Sequence, residues 1–471
     1  MKGRCDRISL SLRRWSMEGF SHLLKAQRDF FQSGKTKDIS FRIEALTSLG
    51  NMIRSHETEL MAALKKDLNK SDFDSYISEM GILLEEIRFT LKHIRDWTQP
   101  RKVKTALTQI GSKGYIYSEP YGVVLVISPW NYPLQLAIAP VIGAIAAGNC
   151  AVLKPSELTP ETSKLMSKLI HKTFPAEYIT VVQGDADTTQ LLLKEKFDYI
   201  FFTGSVAVGK VIMEAAAKHL TPVTLELGGK SPCIVHHDAN LKLAAKRIAW
   251  GKFINAGQTC VAPDYLYVHK DIKKEFIGTF KETINELYKE VVKNGEFTRI
   301  VSERHFNRVT SLLSSGEILQ GGNFSSDTLT IEPTVLGGVT WDDPVMQEEI
   351  FGPVLPVLEY DDELTMINKI NEHPKPLALY IFSESNEFQG TILNSISFGG
   401  GCINDTVMHL SSPYLPFGGV GESGIGAYHG RGSFDVFSHQ KSILKQTTTF
   451  DLPFRYPNRK DALKQIKRFI K

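Results

Sequence analysis

Tyr199-Ile200-Phe201-Phe202-Thr203-Gly204-Ser205-Val206-Ala207-Val208-Gly209-Lys210 reads as a buried strand, a tight turn and the first turn of a helix. A helix that starts directly after a strand leaves backbone N–H groups unpaired, and these are donors that the phosphates of a nucleotide can meet. The run departs from two better-defined phosphate loops. Gly204 and Gly209-Lys210 have the spacing of a P-loop, but Val211 stands where the magnesium-binding hydroxyl belongs. The dinucleotide pattern Gly-x-Gly-x-x-Gly also fails, because Val206 occupies its second glycine.

Working outward, Gly122 to Ile127, Ala151 to Leu153 and Ile179 to Val182 are further short Val/Ile/Leu runs, separated by helical segments. Such runs predict parallel strands covered on both faces, and so an α/β doubly wound sheet. A second α/β series follows Thr224, with strands at Pro232 to Val235 and Tyr265 to Val268 and a long helix over Ile272 to Val292. Ahead of both, Phe20 to Ser33, Ser40 to Leu68 and Ser75 to Trp97 carry apolar residues at helical spacing.

The composition is that of a soluble globular chain: 471 residues, 42% hydrophobic, 23% charged, with a net charge of +3. That charge is too small to imply nucleic acid as a partner, and much of it sits in the first 14 residues. The five cysteines, Cys5, Cys150, Cys233, Cys260 and Cys402, are odd in number and scattered, which argues against disulfides and a zinc site and for a reducing cytoplasm. His236-His237-Asp238 reads as a loop after a strand, so no metal is expected. The apolar run Ala137 to Ala147 is shorter than the roughly 20 residues a membrane span requires. Residues 1–16, rich in Arg and Ser and nearly free of acids, have the composition of a transit peptide or of a plain extension.

Five clusters carry chemistry, and each has a plainer structural reading. Asn255-Ala256-Gly257-Gln258-Thr259-Cys260 offers a thiol in a turn whose backbone donors would favour the thiolate; a lone cysteine is otherwise a small buried hydrophobe. Ser128-Pro129-Trp130-Asn131-Tyr132-Pro133 puts an amide donor at a strand's carboxyl end, or an Asn that caps its own backbone. Leu153-Lys154-Pro155-Ser156-Glu157 presents a cation and a carboxylate, or simply a solvated helix start. Leu225-Glu226-Leu227-Gly228-Gly229 sets a carboxylate among leucines, which would raise its pKa towards that of a general base; the alternative is a salt-bridged Glu. Gln347-Glu348-Glu349-Ile350-Phe351-Gly352-Pro353 is either a ligand-binding turn or a charged helix end.

In this order, and with Pro416-Phe417-Gly418-Gly419, the clusters resemble the aldehyde dehydrogenase superfamily from about Met17 to Ser442. The stretches Met213 to Thr224 and Gly418 to Gly424 look like its class 3 branch of fatty and aromatic aldehyde dehydrogenases. The resemblance implies a Rossmann-like NAD-binding domain at 18–99 and 123–225, an α/β catalytic domain at 226–413, and small β bridging segments at 100–122 and 414–437. Residues 1–17 would be an extension and 438–471 a tail.

It further implies Cys260 as nucleophile, Asn131 as oxyanion donor and Glu226 as the base that hydrolyses a thioester. Lys154, Glu157, Gly204, Ser205, Gly209, Glu349 and Phe351 would hold NAD, with NADP possible. Tyr132, Trp250, Met408 and His409 would line a pocket for medium or long aliphatic or aromatic aldehydes. A homodimer is implied. Leu463, Ile466 and Ile470 share one face of a basic tail that would pack on the neighbouring subunit or touch an anionic membrane surface. Transfer of the thioester to coenzyme A or phosphate, and a non-catalytic relative, are the competing classes; the presence of Glu226, Cys260 and Asn131 together argues against both.

Overall fold

The computed structural model describes residues 20–452, 455–456 and 460–469. The transit-peptide-like stretch, Cys5 and Ile470 lie outside the described residues.

The strands Val123–Ile127, Cys150–Lys154 and Tyr199–Thr203 are buried at every position, which is why their sequences run apolar without alternation. They form the centre of a six-stranded sheet. Val123–Ile127 pairs in parallel with Cys150–Lys154 on one side and with Tyr199–Thr203 on the other. Ile179–Val181 extends the first side and Val223–Glu226 the second, also in parallel. The strand order therefore reverses beside Val123–Ile127, and the crevice at a reversal opens at the carboxyl ends of the strands. Ser128, Lys154, Gly204 and Glu226 all stand at those ends. Gly424–Ile425 closes the edge antiparallel, with Gly424 opposite Glu226.

The second sheet has seven strands, in the order Glu317–Gln320, Thr334–Gly337, Val354–Tyr360, Tyr265–His269, Pro232–Val235, Ala378–Phe382 and Gly400–Ile403. All its pairings are parallel except the first. The loops entering Pro232, Tyr265 and Val354 are the clusters of Glu226, Cys260 and Glu349. The carboxyl ends of one sheet thus face the amino ends of the other across the site.

The helical layer differs from its sequence reading in two places. The stretch from Ser40 to Leu68 is two helices, Ile39–Ser55 and Glu57–Leu68, broken at His56 (φ −125°, ψ 24°). Buried Ile53 and Leu60 lie seven apart, so the apolar stripe stays in phase across the break and conceals it. Between Asp72–Ser75 and Gly81–Trp97 the chain makes a π turn, Tyr76–Met80, which carries Glu79 into the interior.

A third, three-stranded antiparallel sheet joins Arg101–Val103, Lys113–Pro120 and Ser438–Lys445. Its last strand lies in the segment read as tail. Residues 414–437 instead supply Gly424–Ile425 and the helix Arg431–Val436. Ser438–Lys445 is exposed along most of its length, so its sequence has no apolar alternation to betray it. Among the described residues no helix is long and apolar enough to cross a membrane.

Candidate active site

Cys260 is held by a loop of unusual backbone. Asn255 and Ala256 both have φ 53°, and Gly257 has φ +71°. A Cβ at Gly257 would stand 2.2 Å from the carbonyl oxygen of Gly352, so glycine is required there twice over. Ala256 in the left-handed region costs about 1–2 kcal/mol. The loop is held in compensation by side chains: Gln258 donates to the carbonyls of Asn255 and Arg299 at 3.1 Å and accepts from the Val301 N–H at 3.1 Å.

Asn131 does not cap its own turn. It is buried, and its Nδ2 donates to the carbonyl of Gln258 at 3.0 Å, tying the end of Val123–Ile127 to the thiol loop. An amide NH2 has two donors, so one remains for a ligand. The Asn131 carbonyl accepts from Asn255 Nδ2 at 2.9 Å and from Lys70 Nζ at 3.0 Å. The Tyr132 hydroxyl and Thr259 Oγ1 are 2.6 Å apart, a second tie to the same loop.

Glu226 is buried, and neither carboxylate oxygen has a protein partner among the described residues. It is no salt-bridge residue: desolvation pushes its carboxyl well above the ordinary range, the direction a general base needs. The Cys260 thiol is likewise pushed up, by burial first and then by the Glu349 and Glu226 carboxylates. The backbone N–H groups of Cys260 and Val261 act the other way, as the turn predicts, but are outweighed. A neutral thiol must give up its proton as it attacks, and a buried carboxylate with a raised pKa suits proton removal from a water molecule.

Glu349 sits on the turn before Val354–Tyr360, with Oε1 buried and unpartnered and its carboxyl pushed up to about 8, chiefly by desolvation. The turn is fixed by residues to which the sequence assigned no role. Arg308 donates to the carbonyls of Glu349 and Ile350. Asp264 accepts from the Ile350 N–H at 2.9 Å and pairs with Lys230, which also donates to the carbonyls of Val345 and Glu348 at 3.0 Å. Phe351, with φ 49°, meets Trp130 edge to face at 5.3 Å. Asp264, four residues after Cys260, and Lys230, four after Glu226, are the two of these that nearness to a cluster could have signalled.

Two cavities meet here, and among the described residues Cys260 alone lines both. The larger, of about 590 Å³, runs along the carboxyl ends of the first sheet past Gly204, Ser205, Glu226, Glu349 and Phe351. Ser205 caps the helix Val206–Ala217, so that helix opens onto the cavity with its N-terminal donors. A Cβ at Gly204 would stand 2.5 Å from the Phe202 ring, which keeps the turn tight. A helix N-terminus, a buried acceptor without a partner and an aromatic wall together suit a dinucleotide.

The smaller cavity, of about 340 Å³, is lined by Tyr132, Trp250 and Met408 as expected, together with Ile77, Leu136, Phe417 and other apolar side chains. His409 is not in its wall. That ring turns to Cys402, whose Sγ lies 3.5 Å from Nδ1, because Met408–Ser411 is a short 3-10 turn that sends neighbouring side chains apart. His429, buried and with its pKa lowered to about 4 by desolvation, lines the cavity instead.

Three further expected residues stand back from the larger cavity. Lys154 and Glu157 pair with one another at 2.9 Å at the end of Cys150–Lys154, with Lys154 buried and Glu157 half-exposed. Gly209 packs under Leu227, where a Cβ would meet a methyl group at 2.7 Å; its part is to let helix and strand end approach. His236 is buried and bonds Asp238 at 2.7 Å, where a solvated loop was expected. Among the described residues no three His, Cys, Asp or Glu side chains form a metal-binding group.

The sequence profile of the aldehyde dehydrogenase family matches residues 10–443. The chain is 49% identical over 445 residues to the 4,4'-diaponeurosporen-aldehyde dehydrogenase of Staphylococcus aureus, covering 94% of this chain and 97% of that protein. It is 47% identical over 430 residues to the dimeric NADP-preferring aldehyde dehydrogenase of Mus musculus, covering 91% and 95%. The solved substrate-bound state of Staphylococcus aureus AldH superposes with a TM-score of 0.94 at 47% identity, covering 96% of this chain and 99% of that one. The chain belongs to the aldehyde dehydrogenase family and is an NAD(P)-dependent oxidoreductase that converts aldehydes to carboxylic acids.

Proposed function

We propose that Cys260 is the nucleophile of this oxidation and that its substrate is an apolar aldehyde, medium to long aliphatic or aromatic. The observation that carries the proposal is the position of Cys260 in the wall common to the apolar cavity and the larger one. An aldehyde carbonyl at the inner end of the apolar cavity meets Sγ. As Sγ attacks, the thiol gives its proton to water, and the resulting thiohemiacetal's oxyanion takes the free N–H of Asn131 Nδ2 and the backbone N–H of Cys260, donors worth roughly 10²–10³ in rate each. Gly204 and Ser205 would hold the dinucleotide's pyrophosphate, Glu349 and Phe351 its nicotinamide end, and Lys154 with Glu157 its adenosine ribose. When bound, the dinucleotide supplies the hydride acceptor. Glu226 then takes a proton from the water that hydrolyses the thioester on Cys260.

NAD is the preferred cofactor, because a carboxylate at Glu157 accepts from a ribose 2′-hydroxyl and repels a 2′-phosphate. The repulsion is blunted by Lys154, 2.9 Å away, so NADP is also used; the mouse relative is named as NADP-preferring. The enzyme is a cytoplasmic homodimer in this reading. Supporting it are four cysteines free of disulfides, exposed Tyr117, Ile443 and Leu444 on the three-stranded sheet, and the word dimeric in the mouse relative's name. The tail helix Ala462–Phe469, with Leu463 exposed, would pack on the partner. A chain ended after residue 454 is the check: unchanged dimerisation and chain-length preference would sink that part.

The central test is a panel of aldehydes, short to long plus benzaldehyde, with NAD and NADP in parallel, on the parent and Cys260→Ala. Loss of turnover with retained dinucleotide binding supports the assignment. Turnover near that of the parent in Cys260→Ala overturns it.

A further inference from the structure

Lys70 and Glu79 form an ion pair whose side chains are wholly buried. Taking two charges out of water costs more than an apolar pair of the same volume, so the core does not need it for stability. Its remaining contacts converge on a single turn. Lys70 Nζ donates to the backbone carbonyl of Asn131 at 3.0 Å and lies 4.1 Å from the centre of the Tyr132 ring. Glu79 Oε2 accepts from the N–H groups of Leu134 at 2.8 Å and Gln135 at 3.1 Å, the start of the helix Gln135–Ala147. The pair therefore grips the turn 131–135 at both ends.

We propose that the buried Lys70–Glu79 pair is a positioning device for the active site, clamping the turn 131–135 so that the Asn131 amide is aimed at the oxyanion. This rests on the reading of Asn131 as the oxyanion donor. With its carbonyl held by Lys70 and Asn255, and one amide hydrogen on the Gln258 carbonyl, Asn131 has little freedom left, and its second N–H is fixed relative to Cys260. A donor preset in this way needs no reorganisation as charge develops on the substrate oxygen. The π turn is part of the device, since it turns Glu79 into the interior while its chain neighbours Ile77 and Ser78 line the apolar cavity.

The test uses the Lys70→Met/Glu79→Leu double variant, which removes both charges together and leaves no unpaired ion. Single-turnover NADH formation is measured with enzyme in excess over hexanal at saturating NAD. The expected result is a rate constant at least about tenfold lower at full amplitude, with the NAD Kd within about twofold of the parent. The variant carrying all three substitutions should be no slower than Asn131→Ala alone, because the pair acts through that amide. A fall in amplitude with an unchanged rate constant would mean a merely structural role and overturns the proposal, as would a triple variant slower than Asn131→Ala alone. If Asn131→Ala alone leaves the rate unchanged, both this inference and the oxyanion reading fall; if it slows the reaction and the pair variant does not, only this inference falls. Should the double variant not fold, Lys70→Met/Glu79→Gln, which leaves no buried ion and keeps an acceptor for the Leu134 and Gln135 N–H groups, gives the same comparison.

Discussion

Glu349 rests its carboxylate against Gly228: a Cβ at that glycine would stand 2.0 Å from Oε2. The carboxylate belongs to a turn that Arg308 and Asp264 pin through the backbone, so the side chain rather than the turn must yield to an added methyl group. Gly228→Ala is expected to weaken dinucleotide binding by about 10–100-fold, the worth of losing a charge-assisted hydrogen bond to the ribose. Titration of the protein's tryptophan fluorescence with NAD measures it. An unchanged Kd would remove Glu349 from the cofactor site.

Glu226→Gln retains the size of the side chain and loses the base. It is expected to release about one NADH per site in a burst and then stall as the acyl-enzyme. Stopped-flow absorbance reads the burst and mass spectrometry the acylated Cys260. Steady turnover at the parent's rate would contradict the role given to Glu226.

The same carboxyl makes turnover and stability run in opposite directions with pH. Burial raises its pKa above the ordinary carboxyl value of 4.5, so from about that pH upward the native state holds a proton that the unfolded chain has lost. Conformational stability therefore falls as pH rises through the raised value, while hydrolysis of the thioester increases. Glu226→Gln should melt progressively higher than the parent as pH goes from 5 to 9. Parallel melting curves for the two proteins would show that the group titrates normally.

At the adenosine end, Glu157→Ala is expected to raise the ratio of kcat/KM for NADP over NAD by about tenfold, since Lys154 is left to meet the 2′-phosphate unopposed. Initial rates with both cofactors at one aldehyde concentration decide it. A ratio that stays put would mean that the ribose lies elsewhere.

In the apolar cavity each methylene added to a straight-chain aldehyde removes about 0.8 kcal/mol of hydrocarbon from water, so kcat/KM is expected to rise by up to about fourfold per carbon until the space is filled. Leu136→Trp should end that rise at a shorter chain. A profile flat from propanal to decanal would refute the substrate class.

How much of this was legible in the chain follows from what burial writes into sequence. The central strands are covered on both faces and so read as apolar runs, and the clusters at Asn131, Lys154, Glu226 and Cys260 were visible because each directly follows or precedes such a run. Other features left no trace. The break at His56 preserves the helical stripe, Ser438–Lys445 is an exposed strand paired more than 300 residues away in sequence, and the turning of His409 towards Cys402 depends on one short 3-10 turn. Glu79 fell inside the helical stretch Ser75 to Trp97 and Lys70 in the gap before it, so neither was marked out, since only the π turn brings the acid inward.

That one thiol borders both cavities also has a consequence for traffic. On the proposed assignment, the apolar aldehyde and the polar nucleotide would have separate rooms with Cys260 as the party wall, so neither would have to pass the other on the way in. On that assignment the acid would leave by the route along which its aldehyde arrived, without displacing the nucleotide.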